Sequence, residues 1–237
     1  MHMHLQLDHV TARYGEFYAL SDVSLQLEAK ELYAVVGPNG GGKSTLLKLL
    51  MGLVSPSSGT IHGAKHLRKN MAYLPQQTEL DKSFPISVYD VVAMGLWKEI
   101  GPFNGYPKDA ASRIFHVLDE VGMTAFSTRP IGALSGGQLQ RVLFARLALQ
   151  DAHLILLDEP FNNLDQPTIE DLMAQILKWH EQGKTIIVAL HDLDIVKKCF
   201  PKTILLARHL IAAGETADVM TVDHFAASYA CARQWGQ

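Results

Sequence analysis

From Leu32 the chain reads LYAVVGPNGGGKSTLLKLLMGL. The opening run is apolar at every position, as in a strand buried on both faces of a parallel sheet. The leucine-rich run after Ser44 reads as a helix, and Pro56 and Gly59 punctuate its end. A buried strand that passes at once into a helix is the first half of a strand–helix–strand crossover. This stretch therefore commits the chain to an α/β architecture.

The connection, Gly37 to Ser44, follows the pattern G-x-x-x-x-G-K-[ST]. Gly37, Pro38, Asn39, Gly40, Gly41 and Gly42 can curl the backbone so that successive N–H groups converge on phosphate oxygens. The helix that begins near Lys43 adds its positive end. Lys43 supplies a full charge to the β- and γ-phosphates. Ser44, with Thr45 beside it, offers a hydroxyl to Mg²⁺, a hard cation that prefers oxygen. The expected ligands are ATP and Mg²⁺, on a P-loop NTPase core.

The rest of the chain fits that core. Val23, Leu25 and Leu27 alternate with Ser24 and Gln26, as a half-buried strand does. Strands are expected at MAYLPQ from Met71, HLILLD from His153, TIIVALHD from Thr185 and TILLA from Thr203. Between them SVYDVVAMGL, DAASRIFHVLDEVGM and QLQRVLFARLALQ favour helix. The chain reads as one domain of 237 residues: a nucleotide-binding core at 1–80 and 153–237, interrupted at 81–152 by an inserted α-helical subdomain. The core sheet is expected to be mostly parallel, with an antiparallel β portion at the N-terminal side and a short helical tail after Ala217.

Several function classes are disfavoured. Hydrophobic content of 48% with 19% charged residues supports a full core rather than disorder. A net charge of −3 and no long basic block argue against nucleic acid as a partner. The two cysteines, Cys199 and Cys231, form no CxxC pair, which fits a reducing compartment. MHMHLQLDHV lacks the apolar stretch of a leader, and no apolar run approaches the length of a membrane span. If the protein works at a membrane, another chain must cross it.

LILLDEP ends an apolar strand with Asp158 and Glu159. Ligands in such sheets sit beyond the carboxyl ends of the strands, so Asp158 is expected to hold Mg²⁺ and Glu159 to polarise the attacking water. Gln76 and His191 end two further strands and should reach the same rim. A second glycine pair follows at LSGGQLQR, from Leu134, with no lysine.

Together these motifs resemble the ATP-binding-cassette (ABC) ATPases across nearly the whole chain. GPNGGGKST is similar to the Walker A motif, LSGGQLQR to the family signature, LILLDEP to Walker B and FNNLD to the D-loop. Gln76 resembles the glutamine that reaches Mg²⁺, His191 the switch histidine and Tyr14 the aromatic that stacks on adenine. The resemblance implies a head-to-tail homodimer around two ATP. Physical chemistry agrees: Ser135 can cap the helix starting near Gln138. The N–H groups of Gly136 and Gly137, with Gln138, then form a bare anion site, useful when it closes over a phosphate already held by a twin.

The resemblance also implies an integral-membrane permease, a solute-binding protein met only indirectly, and a peripheral position on the cytoplasmic face of the membrane. Candidate permease contacts run from Gln77 to Trp97 and include Phe84, Pro85, Val88, Tyr89, Met94 and Trp97. FPISVYDVVAMGL and GPFNG look like the importer branch serving zinc and manganese. Iron-siderophore and cobalamin importers have similar single-cassette subunits, and a soluble cassette ATPase without a permease stays open. A P-loop kinase would leave LSGGQLQR unexplained. The carried metal is not expected on this subunit; His2, His4 and the other histidines lack ligand spacing. No large C-terminal regulatory domain is expected. Asn162 and Asn163 depart from the smaller residues common in the D-loop.

Overall fold

The computed structural model describes residues 4–63, 70–76, 84–101, 105–233 and 235. His2, Gln77 to Ser83 and Pro102 to Asn104 lie outside the described residues. In chain order the elements are β1 (His4–Tyr14), β2 (Phe17–Glu28), β3 (Leu32–Val36), α1 (Lys43–Met51), β4 (Ser58–His62), β5 (Met71–Leu74), α2 (Val88–Ala93), α3 (Ala110–Glu120) and α4 (Gly136–Gln150). They continue as β6 (Leu154–Asp158), α5 (Gln166–Glu181), β7 (Thr185–Ala189), α6 (Leu193–Cys199), β8 (Lys202–Ala207), β9 (His209–Glu215) and α7 (Val222–Arg233).

Among the described residues six strands form the central sheet, in the order β5-β6-β7-β3-β8-β9. All pairs are parallel except β8 with β9. A separate antiparallel sheet runs β2-β1-β4. This is the expected α/β class, with its mostly parallel sheet and its antiparallel portion.

The unbroken apolar strands now have a cause. Along β3, Leu32, Ala34 and Val36 enter one hydrophobic core while Tyr33 and Val35 enter another. β6 and β7 divide the same way, with Ile155, Leu157, Ile186 and Val188 on one side and Leu154, Leu156 and Ile187 on the other. A strand with a core on each face cannot alternate with polar residues. The second core is closed by α1 and the three-stranded sheet, whose inward residues Val23, Leu25 and Leu27 are buried.

Helices α2, α3 and α4 all lie between β5 and β6 and share the first core. SVYDVVAMGL does not make one helix. α2 stops at Ala93, a 3₁₀ turn covers Met94–Leu96, and a short helical turn follows at Trp97–Ile100. The packing explains the break. A Cβ on Gly95 would stand 2.6 Å from the carbonyl oxygen of Arg146, so the chain runs against α4 there. Among the permease candidates, Val88 is fully buried and Tyr89 packs on the first core with its ring against Phe115, so both are core residues. Phe84, Met94 and Trp97 are 63%, 51% and 64% exposed, and Pro85 is exposed too. Among the described residues no helix is long and apolar enough to cross a membrane.

Candidate active site

Parallel pairing aligns the carboxyl ends of four strands. Leu74 of β5 pairs with Leu157 of β6, Asp158 of β6 with Ala189 of β7, and Ala189 with Val35 of β3. Whatever follows each strand therefore leaves from one edge of the sheet. There β3 leads into Gly37–Ser44, β5 into Gln76, β6 into Glu159 and β7 into His191.

The glycine loop is held tightly. Gly37 has φ 144°, and a Cβ there would lie 1.9 Å from the carbonyl oxygen of Leu206 in β8. Gly42, the N-cap of α1, has φ 93°. A side chain there would meet Ala19 and Leu20 of β2 within 2.5 Å. Only glycine fits backbone pressed this closely between two sheets. Lys43 is buried, and its ammonium donates to the carbonyls of Gly37 at 3.1 Å and Pro38 at 3.3 Å. Burial pushes its pKa down, opposed by the charges of Glu159 and Asp158.

Asp158 is also buried. Ser44 donates its hydroxyl to Oδ1 at 2.9 Å, and Tyr73 donates to Oδ2 at 3.3 Å. Burial pushes the Asp158 carboxyl up; the Ser44 hydrogen bond opposes the shift. A carboxylate and a hydroxyl in contact, with Gln76 on the same cleft, form an all-oxygen donor set of the kind Mg²⁺ takes.

Glu159 stands beside this pair in a left-handed conformation, φ 50°. Non-glycine residues adopt it at a cost and cluster at functional sites. Its N–H donates to the Ala189 carbonyl at 3.1 Å, which ties the turn to β7. The carboxylate has a partner on each oxygen: His191 Nε2 shares a hydrogen bond with Oε1, and the Asn162 amide donates to Oε2. The Glu159 side chain is 12% exposed and that of His191 37%.

These groups line a cleft of about 810 Å³. Its lining combines the aromatics Tyr14, Phe17 and Tyr18, the loop from Asn39 to Thr45, and the polar side chains of Gln76, Glu159, Asn162 and His191. Gly37 and Pro38 do not reach its wall. They border a smaller cavity of about 290 Å³ with Asn39, His191 and residues of α7. Asp158 adjoins the cleft through Ser44.

Ser135, Gly136, Gly137 and Gln138 are not among the residues that line the cleft. They open α4 with a reciprocal cap: Gln138 N–H donates to Ser135 Oγ at 3.2 Å, and Ser135 N–H to Gln138 Oε1 at 3.0 Å. The helix thus begins at Gly136, two residues before the start read from sequence. The spacing of Ser135 and Gln138 carries the capping-box signal that places it there.

Sequence reasoning missed Phe17, Tyr18 and Arg208 on the cleft and Tyr73 behind it, on Asp158. Phe17 and Tyr18 were hidden among strand aromatics. Tyr73 read only as part of an apolar strand. Arg208, at φ 60°, lines the cleft, donates its N–H to the Gly41 carbonyl at 2.9 Å, and sets its guanidinium 4.3 Å from the ring centre of Trp235. No local pattern marks it, because β8 and the glycine loop meet only in the folded chain.

Compared with known families, residues 20–162 match the model described as ABC transporter. The chain belongs to the ABC transporter family. It is an ATP-hydrolysing cassette, and the relatives it matches are nearly collinear with it. It is 40% identical over 95% of each chain to the manganese transport system ATP-binding protein MntB of Listeria innocua. It is 37% identical to the zinc transport system ATP-binding protein TroB of Treponema pallidum, over 95% of this chain and 86% of that one. Among solved structures, a dimeric bacterial ABC transporter cassette superposes with a TM-score of 0.78 at 27% identity, covering 90% of this chain and 98% of that one. Among the described residues of this ABC cassette, no group of three or more His, Cys, Asp or Glu side chains is placed to hold a metal ion.

Proposed function

We propose that this chain is the ATP-hydrolysing subunit of an importer for manganese or zinc, working as a homodimer beneath a separate permease. The observation that carries the reading is the split between two sites. The cleft gathers Lys43, Glu159, Gln76 and His191, with Asp158 behind it on Ser44, while the capped glycine pair of Ser135–Gln138 is not among its lining residues. A cassette that binds ATP with both elements needs a second copy to bring them together.

On this reading Tyr14 stacks on adenine, and Lys43 with the N–H groups of Gly40, Gly42, Ser44 and Thr45 holds the phosphates, while the Gly41 N–H closes the loop on the Pro38 carbonyl at 3.0 Å. Gly37, Pro38 and Asn39 shape the loop. Ser44, Asp158 and Gln76 hold Mg²⁺, which when bound neutralises charge on the phosphate oxygens. Glu159 accepts a hydrogen bond from the attacking water. His191 leaves Glu159 for the γ-phosphate when ATP is bound. Ser135, Gly136, Gly137 and Gln138 offer the N-terminus of α4 to the twin's γ-phosphate. Loss of that phosphate removes what joins the protomers, an equilibrium shift driven by differential affinity. Residues 1–80 and 153–237 act as the nucleotide-binding core and 81–152 as the helical subdomain.

The exposed set Phe84, Pro85, Met94 and Trp97 faces the permease. The subunit sits on the cytoplasmic side of the membrane, and a solute-binding protein delivers the metal from the other side. The names of the relatives support manganese or zinc as cargo. The test is ATP hydrolysis by the permease complex in lipid vesicles, with binding proteins loaded with manganese, zinc or ferric siderophore. Stimulation by the manganese- or zinc-loaded form is expected, and loss of it in Glu159→Gln. Stimulation by the siderophore form alone overturns the metal assignment.

A further inference from the structure

Resting on the reading of Glu159 as the group that activates water, we propose that Asn162 is a positioning residue that decides which oxygen of Glu159 acts as the base. A carboxylate has two equivalent oxygens, and a base that turns freely about its last bond spends much of its time misaligned. Here rotation is prevented. The Asn162 amide donates to Oε2 while His191 occupies Oε1.

The two donors differ in kind. His191 carries a ring nitrogen that a phosphate can recruit. Asn162 carries a neutral amide, which gains little from leaving a carboxylate for a phosphate already served by Lys43. When His191 moves to the γ-phosphate, Oε1 is vacated and faces the cleft, and Oε2 stays held. Oε1 is then the oxygen that meets the water.

The backbone supports this. Glu159 (φ 50°) and Asn163 (φ 59°) are both left-handed and bracket a turn in which Asn162 N–H donates to the Glu159 carbonyl at 3.4 Å. That turn brings the Asn162 side chain alongside the carboxylate, and both residues line the cleft. Asn162 is exposed and not part of the hydrophobic core, so its place is explained by what its amide holds rather than by packing.

The test uses the full-length protein with steady-state ATP hydrolysis. Asn162→Ala is expected to lower kcat roughly tenfold or more, as the loss of a hydrogen bond to a charged group does, and to leave KM for ATP unchanged. Asn162→Gln, which keeps the amide, is expected to recover most of the rate. Asn162→Leu reports the same loss should the alanine form not fold. In a Glu159→Gln background, Asn162→Ala is expected to cost nothing further. Unchanged kcat in Asn162→Ala overturns the proposal, as does a glutamine form no faster than the alanine form. Parental turnover by Glu159→Gln alone sinks the underlying role of Glu159 instead.

Discussion

Ser135 caps a helix in this structure and has a second task under the proposed function, and two substitutions tell the two apart. Its hydroxyl caps α4, and on the functional reading it also points toward a phosphate held by the twin. Ser135→Ala removes the cap acceptor. The cost of losing such a cap is about 1 kcal/mol, or a fall in Tm of roughly 2–4 °C in a domain of this size. Ser135→Asp keeps a cap acceptor of equal quality and adds a negative charge at a helix N-terminus, which that helix favours by about 0.3–1 kcal/mol. Its Tm should equal or exceed that of the parent. Under the proposed function the same charge would face the γ-phosphate across the dimer. Two unit charges about 4 Å apart near a protein surface repel by about 4 kcal/mol, roughly a thousandfold in affinity at each site. The assay is thermal melting of the monomer, paired with sedimentation of ATP-bound dimer in a Glu159→Gln background. The aspartate form should melt like the parent and fail to dimerise. The alanine form should melt lower and dimerise weakly. If the aspartate form assembles with ATP as readily as the parent, Ser135 does not face phosphate and the shared-site mechanism is wrong.

Two further predictions follow from burial and exposure. Burial holds the Asp158 carboxyl above its ordinary range, so its ionised form weakens the fold, and that cost is present above the folded-state value and vanishes below the ordinary carboxylate value. Asp158→Asn should therefore melt higher than the parent at neutral pH, converge with it in acid, and lose Mg²⁺-dependent hydrolysis; a lower Tm at neutral pH refutes the assignment. Phe84→Glu with Trp97→Glu places charge on two exposed apolar residues without touching the core. Basal hydrolysis and Tm should hold while capture of the permease is lost; retained capture moves the docking surface elsewhere.

The core strands were legible in the sequence because β3, β6 and β7 each feed two hydrophobic cores, which forbids polar residues along them. The glycine loop was legible because its spacing is dictated by backbone approach, seen at Gly37 against Leu206. What stayed hidden depends on contacts between remote segments. Tyr73 reaches Asp158 across 85 positions of sequence, and Arg208 reaches the glycine loop only through strand pairing. The break after Ala93 was hidden for the same reason: Gly95 reads as an ordinary small residue until the Arg146 carbonyl is found against it. Asn162 stood out as a departure from the family, but its partner could be named only once Glu159 was seen in a left-handed turn.

α4 has a mechanical consequence. Its first turn carries the glycine pair, while near its far end Arg146 donates to the Tyr73 carbonyl at 3.4 Å and Gln150 to the Met71 carbonyl at 3.2 Å. The helix is a rod of about 22 Å, bonded near its C-terminal end to the strand that runs toward Gln76 and near its N-terminal end, through Arg141, to Asp171 of α5. A tilt of about 10° at the C-terminal end sweeps the other by roughly 4 Å, the length of a phosphate contact. A displacement near Gln76 that tilts this rod is expected to carry the glycine pair by the larger distance, with α5 following through the Arg141–Asp171 pair.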